Sequence, residues 1–312
     1  EYMLNNKEII LGSRNSLLAK TQTMLVIEKL KKFGFKKLKT QFIKSSGDIL
    51  RGNIFKDQGG KGLFTKEIDS LTVNGEIDLG IHSAKDIPAF LHKNLTIGAY
   101  LKREDVRDIL ITKDHDIKKI NHLPPNWSLG SSSPRRTCYV NYYRPDIKVI
   151  PIRGNIDSRI KKLQSNEVDA LIIAQAGINR LKNDCSHLSL SPIPISQILP
   201  SPGQGAIAVT YKKDNKECEE ICKIINDKAT EYALLAERSL IKQINGNCFT
   251  PIAALAEINK ERLVLQAKLF SEDGSIFSDK KLEGITSNAR KIGSTCADYL
   301  ISNLINKEKN EK

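Results

Sequence analysis

The sequence predicts an α/β protein that has two successive α/β units and a smaller α+β unit at its C-terminal end. Three observations lead to this fold class. Short apolar strands alternate with amphipathic helices along most of the chain, which is typical of parallel sheets covered by helices. A segment rich in Pro, Ser and Gly at 192–205 interrupts the alternation and marks a crossing between units. Three closely spaced strands and a single helix then close the chain of 312 residues.

The first α/β unit is predicted from a strand, a helix and a second strand at the start of the chain. Such a βαβ opening favours a parallel sheet. A loop at 45–62 follows, and loops of that length are usually functional or mobile. The predicted elements of this unit are strands at 8–11, 38–43, 79–83 and 95–101 and helices at 16–33 and 63–73.

The second α/β unit follows a dense run of charged residues at 102–108, which we interpret as a hinge. Each of its first strands leads through a small or polar turn into a helix. The predicted elements of this unit are strands at 109–112, 127–130, 148–152 and 170–174 and helices after 134, up to 164 and up to 181.

The C-terminal part begins with a strand that we predict at 206–211. The turn at 271–275 contains Asp-Gly, which is a strong signal for a β-hairpin. The remaining predicted elements are helices at 215–226, 231–243 and 288–304 and strands at 252–257, 263–270 and 276–282.

The formal net charge of +13 predicts an anionic partner, which could be nucleic acid, a membrane surface or a small polyanion. A single Trp and 6% aromatic residues provide no stacking platform for single strands, so we expect no nucleic-acid partner. No apolar run approaches the roughly 20 residues that span a membrane, and we expect no membrane partner. The six scattered cysteines suit a reducing compartment, and no His or Cys spacing indicates a metal site. We therefore expect a cytoplasmic protein, or one from a plastid-like organelle if a targeting segment has been removed.

The strongest local motif is the run from His82 to Pro88, which follows the apolar strand at 79–83. It places a cation, Lys85, beside a carboxylate, Asp86, at the C-terminal end of a strand. Open α/β sheets carry their chemistry at this end. A solvated turn would show the same pair, so the motif gains its meaning from the anion-binding groups elsewhere in the chain.

Arginines beside Gly and Ser occur at several predicted helix starts. The turn Ser131-Ser132-Ser133-Pro134-Arg135-Arg136 combines a Ser cap, a Pro in the first helical position and two guanidinium groups. Free N–H groups and arginines at a helix start bind phosphate or carboxylate. The arginines at the related turns are Arg14, Arg153 and Arg159. Together they predict a cleft between two α/β lobes for a ligand with several carboxylates or phosphates.

Two further segments carry candidate chemistry. The run Gly59-Gly60-Lys61-Gly62 lacks the spacing of a nucleotide-binding loop, and a lid with one cation fits it better. Cys248 lies in a polar turn between a Gly and a Pro, with no His nearby in sequence. It could be a small buried residue, a thiolate nucleophile or the attachment point of a prosthetic group.

The sequence resembles hydroxymethylbilane synthase, also called porphobilinogen deaminase, from about Ile9 to the C-terminal helix. The matching segments are Gly12-Ser13-Arg14, Gly47-Asp48, Gly60-Lys61-Gly62-Leu63-Phe64, the run 82–88, Arg103-Glu104-Asp105, Arg107-Asp108, the run 132–136, Arg153-Gly154-Asn155, Arg159, Gly203-Gln204-Gly205-Ala206, Cys248 and Pro251-Ile252. Asn247 stands where many relatives have Gly. Because Asn tolerates a left-handed backbone, we expect this loop to be retained.

The resemblance implies two doubly wound lobes like those of type II periplasmic binding proteins and a small α+β domain with a three-stranded antiparallel sheet. We place the first domain at 1–102 and 201–226, the second at 103–200 and the third at 227–312. The implied reaction condenses four porphobilinogen molecules head to tail into linear 1-hydroxymethylbilane and releases ammonia at each step. The resemblance also implies a monomer whose partner is this small-molecule substrate.

Residue-by-residue matching assigns roles to particular positions. It implies that Asp86 is the catalytic carboxylate and that a dipyrromethane cofactor is attached to Cys248 by a thioether. The other implied cofactor contacts are Ser83, Lys85, Asp86, Ser133, Arg135 and Arg136. The implied substrate contacts are Arg14, Lys61, Phe64, Arg153, Arg159, Arg180 and Gln204. A non-catalytic solute-binding module would explain the arginines, but it would explain neither Asp86 beside Lys85 nor Cys248 in its turn.

Overall fold

A computed structural model describes residues 7–45, 62–182, 185–247 and 249–310. The chain divides into two compact units, each built from two separate segments. Unit 1 consists of Glu1–Glu104 and Gly205–Tyr232, and unit 2 consists of Asp105–Gln204 and Ala233–Lys312. The chain therefore leaves unit 1, builds part of unit 2 and returns to unit 1 before it completes unit 2.

Unit 1 is a five-stranded sheet with the strand order β2-β1-β3-β10-β4. Its strands are β1 (Ile9–Arg14), β2 (Leu38–Ile43), β3 (Leu79–Ser83), β4 (Leu95–Tyr100) and β10 (Ile207–Lys212). Its helices are α1 (Leu17–Lys32), α2 (Lys66–Asn74), α6 (Lys216–Ile225) and the start of α7 (Lys228–Ile244). Strand β1 is parallel to β2 and β3, whereas β10 is antiparallel to β3 and β4. The C-terminal ends of the parallel strands lie at one edge of the sheet. The last side chains of β1 and β3 therefore lie at the same edge.

A second five-stranded sheet in unit 2 has the order β7-β6-β8-β5-β9. Its strands are β5 (Asp108–Thr112), β6 (Ser128–Gly130), β7 (Lys148–Ile150), β8 (Ala170–Ala174) and β9 (Ser189–Pro192). Its helices are α3 (Pro134–Tyr143), α4 (Ile156–Gln164) and α5 (Gln175–Leu181). Strand β6 is parallel to β7 and β8, and β5 is antiparallel to β8 and β9.

The C-terminal segment of unit 2 forms a three-stranded antiparallel sheet against which helix α8 (Ala289–Asn310) packs. The strands are β11 (Ile252–Asn259), β12 (Arg262–Phe270) and β13 (Phe277–Ile285). This sheet also contacts helix α3, since the rings of Tyr139 and Phe270 meet edge to face with centroids 5.0 Å apart. A Cβ at Gly274 would lie 2.9 Å from Cys138 Sγ, so the β12–β13 turn approaches α3 closely.

The predicted α/β class and the C-terminal antiparallel meander are confirmed. Strands β2, β3 and β8 have the predicted bounds, and β1 extends three residues further than predicted, to Arg14. Helix α2 begins at Lys66 rather than at 63, and strand β9 was not predicted. The expected parallel sheets are mixed in the structure. The division of 103–200 from 227–312 into two domains stays a prediction, because unit 2 contains most of both segments.

Candidate active site

Two strand ends bring a guanidinium group and a carboxylate together in unit 1. Arg14 is the last residue of β1, and Asp86 ends the 3-10 turn that follows β3. Because β1 and β3 are neighbouring parallel strands, both side chains emerge at the same edge of the sheet. Arg14 Nη1 lies 4.0 Å from Asp86 Oδ2, and both side chains are partly exposed. The pair therefore faces solvent and can contact a ligand.

Backbone hydrogen bonds hold the turn that presents Lys85 and Asp86. The amide of Ala84 donates to the carbonyl of Ala206 at 2.9 Å, which ties the turn to the segment that leads into β10. The amide of Ile87 donates to the carbonyl of Ala84 at 3.3 Å and closes the turn. These backbone contacts leave both charged side chains to project from the end of β3.

A pocket of about 90 Å³ lies at this edge. Five of the predicted site residues line it: Arg14, Phe64, Ser83, Lys85 and Asp86. The Arg14 guanidinium carbon lies 4.4 Å from the centroid of the Phe64 ring, a distance that suits a cation–π contact. The structure thus places two cations and one carboxylate around a single small cavity.

Gln22 is a pocket residue that the sequence did not reveal. It lies on the inward face of α1 and is 2% exposed. Its Nε2 donates to Ser83 Oγ at 2.9 Å, which satisfies an amide that would otherwise be buried at a cost. A glutamine among apolar positions of an amphipathic helix is a weak signal, and its partner lies 61 residues away.

His82 also lines the pocket, and its ring is buried. Its Nε2 lies 3.2 Å from Thr210 Oγ1 and 3.8 Å from Asp69 Oδ1. Burial and, to a smaller extent, the positive charge of Arg14 together lower the pKa of His82 to about 4, so the imidazole is neutral at pH 7. Burial has the opposite effect on the carboxyl of Asp69, whose pKa it raises to about 6.

A second group of predicted residues forms a buried ion cluster in unit 2. Arg135 and Arg136 are 3% and 6% exposed, and both donate to the fully buried carboxylate of Asp108. The shortest contacts are 2.8 Å, from Arg135 Nη1 to Oδ2 and from Arg136 Nη2 to Oδ1. Both arginines are therefore buried rather than solvent-facing, and the carboxylate that they contact here belongs to this chain.

Gln204 completes this cluster. It is fully buried, and its Nε2 donates to Asp108 Oδ1 at 2.9 Å and to the carbonyl of Val106 at 2.8 Å. Burial alone would raise the pKa of Asp108, but the charges of Arg135 and Arg136 outweigh it and hold that pKa well below its usual value. Asp108 is not among the site residues that the sequence predicts, although it ends the charged run that we interpret as a hinge.

The cluster contains more positive than negative charge. Two guanidinium groups share one carboxylate, and among the described residues Arg135 Nε is buried without a hydrogen-bond partner. The start of α3 carries this pair as predicted, because Ser133 Oγ accepts from the amide of Arg136 and Pro134 occupies the first turn.

The remaining predicted arginines lie on or beside two other helices of unit 2. Arg153 and Arg159 flank the start of α4, where Arg159 Nε donates to the carbonyl of Gly154 at 2.9 Å. Arg153 is exposed, and Arg159 is partly exposed. Arg180 lies in the last turn of α5 and is also partly exposed. All three therefore have surface available for an anionic ligand.

Lys61 and Cys248 lie outside the described residues. The residues that flank position 248 form a tight series of hydrogen bonds, in which Asn247 Oδ1 accepts from the amide of Phe249 at 2.8 Å. The amide of Asn247 donates to Thr250 Oγ1 at 3.0 Å. Asn245 adopts a left-handed backbone with φ of 57°.

Within residues 7–45, 62–182, 185–247 and 249–310, no group of three or more His, Cys, Asp or Glu side chains is arranged to hold a metal ion. In the same ranges, no helix combines the length and the apolar character that crossing a membrane requires.

Comparisons with known proteins cover nearly the whole chain. Residues 9–220 match the family model "Porphobilinogen deaminase, dipyromethane cofactor binding domain", and residues 232–302 match "Porphobilinogen deaminase, C-terminal domain". The porphobilinogen deaminase of Clostridium novyi is 37% identical over 95% of this chain and 99% of its own length. That of Rickettsia bellii is 43% identical over 82% of this chain and 84% of its own. Among solved structures, the periplasmic VFT2 domain of Bordetella pertussis BvgS covers 72% of this chain and 88% of its own, at 13% identity and a TM-score of 0.44.

Proposed function

Because the chain belongs to the porphobilinogen deaminase family, we propose that the pocket at the ends of β1 and β3 is where porphobilinogen reacts. The protein is a transferase of tetrapyrrole biosynthesis that condenses porphobilinogen head to tail into linear 1-hydroxymethylbilane, with release of ammonia. The reaction is primed by a covalently bound dipyrromethane cofactor. The roles of individual residues in this reaction are our proposal.

The charges of the described residues fit a polycarboxylate. Each pyrrole ring of the substrate and cofactor carries an acetate and a propionate, so the growing chain is a polyanion. Two buried guanidinium groups share one carboxylate, and one buried N–H has no hydrogen-bond partner among the residues that the structure describes, which favours additional acceptors nearby. In unit 1, Arg14 and Lys85 supply two cations against the single carboxylate of Asp86. These groups suit the carboxylates of the cofactor and substrate.

Attachment and recognition would be divided among several residues. When bound, the dipyrromethane supplies the pyrrole carbon to which the first substrate is joined. Cys248 would hold it through a thioether. The residues that we expect to contact its carboxylates or polar groups are Ser83, Lys85, Ser133, Arg135 and Arg136. The residues that we expect to contact substrate are Arg14, Lys61, Phe64, Arg153, Arg159, Arg180 and Gln204.

Asp86 is assigned the chemical role in the pocket. When the C–N bond of the substrate aminomethyl group breaks, both electrons leave with nitrogen as ammonia, and a positive charge develops on the methylene-pyrrole. A carboxylate that accepts a hydrogen bond from the pyrrole N–H stabilises that charge as it forms. Asp86 is partly exposed at the pocket, and its Oδ2 lies 4.0 Å from Arg14 Nη1, which is longer than a hydrogen-bonded ion pair. The carboxylate can therefore accept a hydrogen bond from the pyrrole N–H.

One observation carries this assignment: Arg14 and Asp86 meet at the ends of neighbouring parallel strands, beside Lys85, in one small pocket. The test is Asp86→Asn, which keeps the shape and removes the charge. Asp214→Asn, at an exposed position of the same unit, is the matched control. We expect Asp86→Asn to lower kcat by at least about 100-fold, as for other electrostatic groups, with an unchanged unfolding midpoint. Equal kcat values for the two variants would remove Asp86 from the mechanism.

We also propose that the enzyme acts as a monomer in the bacterial cytoplasm. A monomer is what the resemblance to this family implies, and the pocket is lined by residues of unit 1 alone. The five described cysteines are free and buried, which suits a reducing compartment. Sedimentation equilibrium at assay concentrations tests the first point, and a concentration-dependent dimer with higher specific activity would contradict it.

A further inference from the structure

His82 is a buried polar side chain of the pocket wall that the proposed chemistry does not use. It lies on β3 two residues after Gly80, so the two residues share a face of the sheet. A Cβ at Gly80 would lie 3.0 Å from His82 Nε2 and 2.5 Å from Thr210 Oγ1. The imidazole therefore lies back along the strand over Gly80, in space that only a glycine leaves open.

The partners of Nε2 define which ring nitrogen carries the proton. Thr210 Oγ1, on the antiparallel neighbour β10, lies 3.2 Å from Nε2 and donates its own hydrogen to the carbonyl of Gly80 at 3.4 Å. Asp69 Oδ1, on α2, lies 3.8 Å from the same nitrogen. Because both oxygens can accept and the Thr210 hydrogen is already used, we assign the proton to Nε2.

The contact with Thr210 holds the neutral imidazole of His82 in the wall of the pocket that the cationic side chain of Arg14 also lines. Arg14 is close enough for its charge to disfavour protonation of His82, and the two side chains line the same pocket. The guanidinium of Arg14 also contacts the Phe64 ring at 4.4 Å and the Asp86 carboxylate at 4.0 Å. A charged or mobile side chain at position 82 would disturb this arrangement, whereas an anchored neutral ring supports it.

We propose that His82 is a positioning residue: its Nε2–H, hydrogen-bonded to Thr210 Oγ1 with the Asp69 carboxylate 3.8 Å away, fixes the ring in the pocket wall, and the ring holds the Arg14 guanidinium in place for a substrate carboxylate. This inference rests on the role proposed for Arg14. It predicts that loss of the Nε2 anchor weakens substrate binding more than it slows the chemical step.

Two substitutions of His82 separate the anchor from the ring. In His82→Gln, the amide nitrogen can occupy the place of Nε2 and donate to the same oxygens. In His82→Asn, the shorter amide reaches only as far as the place of Nδ1, so the anchor is lost. We expect His82→Asn to raise the KM for porphobilinogen about tenfold, the effect of one lost hydrogen bond, with kcat within about threefold. We expect His82→Gln to restore KM to within about threefold of the parent protein.

The other end of the anchor gives an independent test if a His82 variant fails to fold. Thr210→Val removes the hydroxyl at nearly constant volume, and Thr210→Ser retains it. We expect KM to rise in Thr210→Val and to recover in Thr210→Ser. Equal KM values in Asn and Gln variants, or a loss confined to kcat, would overturn the positioning role of His82.

Arg14→Gln distinguishes the two proposals. If this variant leaves KM unchanged, the substrate-binding role of Arg14 is wrong and the inference about His82 falls with it. If Arg14→Gln raises KM and His82→Asn does not, the role of Arg14 stands and only the positioning role of His82 is wrong.

Discussion

Replacing Asp108 by asparagine would remove the carboxylate that two buried guanidinium groups share. Five hydrogen bonds end on this carboxylate, four of them on Oδ1 and one, from Arg135 Nη1, on Oδ2. An asparagine that keeps its oxygen at the Oδ1 position directs its own NH2 group at Arg135 Nη1, across a donor–acceptor distance of 2.8 Å in the parent protein. The variant therefore combines one donor–donor contact with two uncompensated buried charges.

The expected cost follows from the burial of the cluster. Asp108 is fully buried and both arginines are at most 6% exposed, so solvent screens the lost charge only weakly. Removal of one partner from a buried ion pair destabilises proteins by about 3–5 kcal/mol. With a urea dependence of about 2–3 kcal/mol per molar, the unfolding midpoint should fall by about 1–2.5 M. The proposed cofactor contacts of Arg135 and Arg136 should weaken at the same time.

The single tryptophan gives a local assay. Trp127 lies in unit 2, as Asp108 does, and packs against the same hydrophobic core as Leu129 and Val140. Its fluorescence during urea unfolding therefore reports on the unit that contains the cluster. Asp146→Asn is the matched control, because Asp146 makes a similar two-contact pair with Arg144 at the surface. We expect the control to change the midpoint little.

The pH dependence supplies a sign that can be checked. The folded pKa of Asp108 lies below its unfolded value of about 4, so its stabilising contribution is complete above pH 4 and is lost as the pH falls further. The gap in unfolding free energy between the parent protein and Asp108→Asn should be full at pH 7 and shrink below pH 4. A loss under about 1 kcal/mol at pH 7, or a gap that grows on acidification, would refute the reasoning.

Three further predictions concern unit 1. Phe64→Leu should raise the KM for porphobilinogen about two- to fivefold, because it removes the ring 4.4 Å from the Arg14 guanidinium; an unchanged KM would show that this contact does not matter for binding. Asp69 has a folded pKa of about 6, above its unfolded value of about 4, so its destabilising effect grows as the pH rises from about 4 to about 6 and is constant above that. Hydrogen exchange in β3 should therefore show Asp69→Asn gaining about 2–2.5 kcal/mol relative to the parent between pH 4 and pH 7, and no relative gain would contradict the burial effect. Burial raises the pKa of Cys218 to about 12, so this thiol should react with Ellman's reagent at pH 8 only after urea unfolding, and rapid native labelling would be inconsistent with its burial.

Two of the three strands whose bounds agree with the prediction, β3 and β8, are buried and mainly apolar. Strand β3 and the buried strand β8 have the predicted bounds for this reason. Strand β9 was missed because Ser-Leu-Ser-Pro has no apolar run, and its pairing with β5 alone makes it an edge strand where Pro is tolerated. The apolar pattern of a strand does not show whether the strand runs parallel or antiparallel to its neighbours. The antiparallel pairing of β10 with β3 is therefore seen only in the structure, where the chain returns to unit 1.

In the candidate site, residues were predicted where their local sequence carries the signal and were missed where the signal is a contact with a residue far along the chain. Arg14 and Asp86 were predicted from their positions after strands, and the parallel pairing of β1 and β3 brings them together. Asp108 was missed because two adjacent arginines show that a carboxylate is needed without showing which one, and this one precedes Arg135 by 27 residues. The position of the buried His82 ring depends on its contact with Thr210, which lies 128 residues further along the chain.

The intact mass of the purified enzyme, followed by peptide mapping, tests the assignment of the reacting centre most directly. We predict that the mass exceeds that of the polypeptide by a two-pyrrole adduct, and that the adduct lies on the peptide containing Cys248. Preparations made without precursor should gain this mass when porphobilinogen is added, and Cys248→Ser should not. An adduct on any of the other five cysteines, or no adduct after incubation with porphobilinogen, would contradict the proposed site.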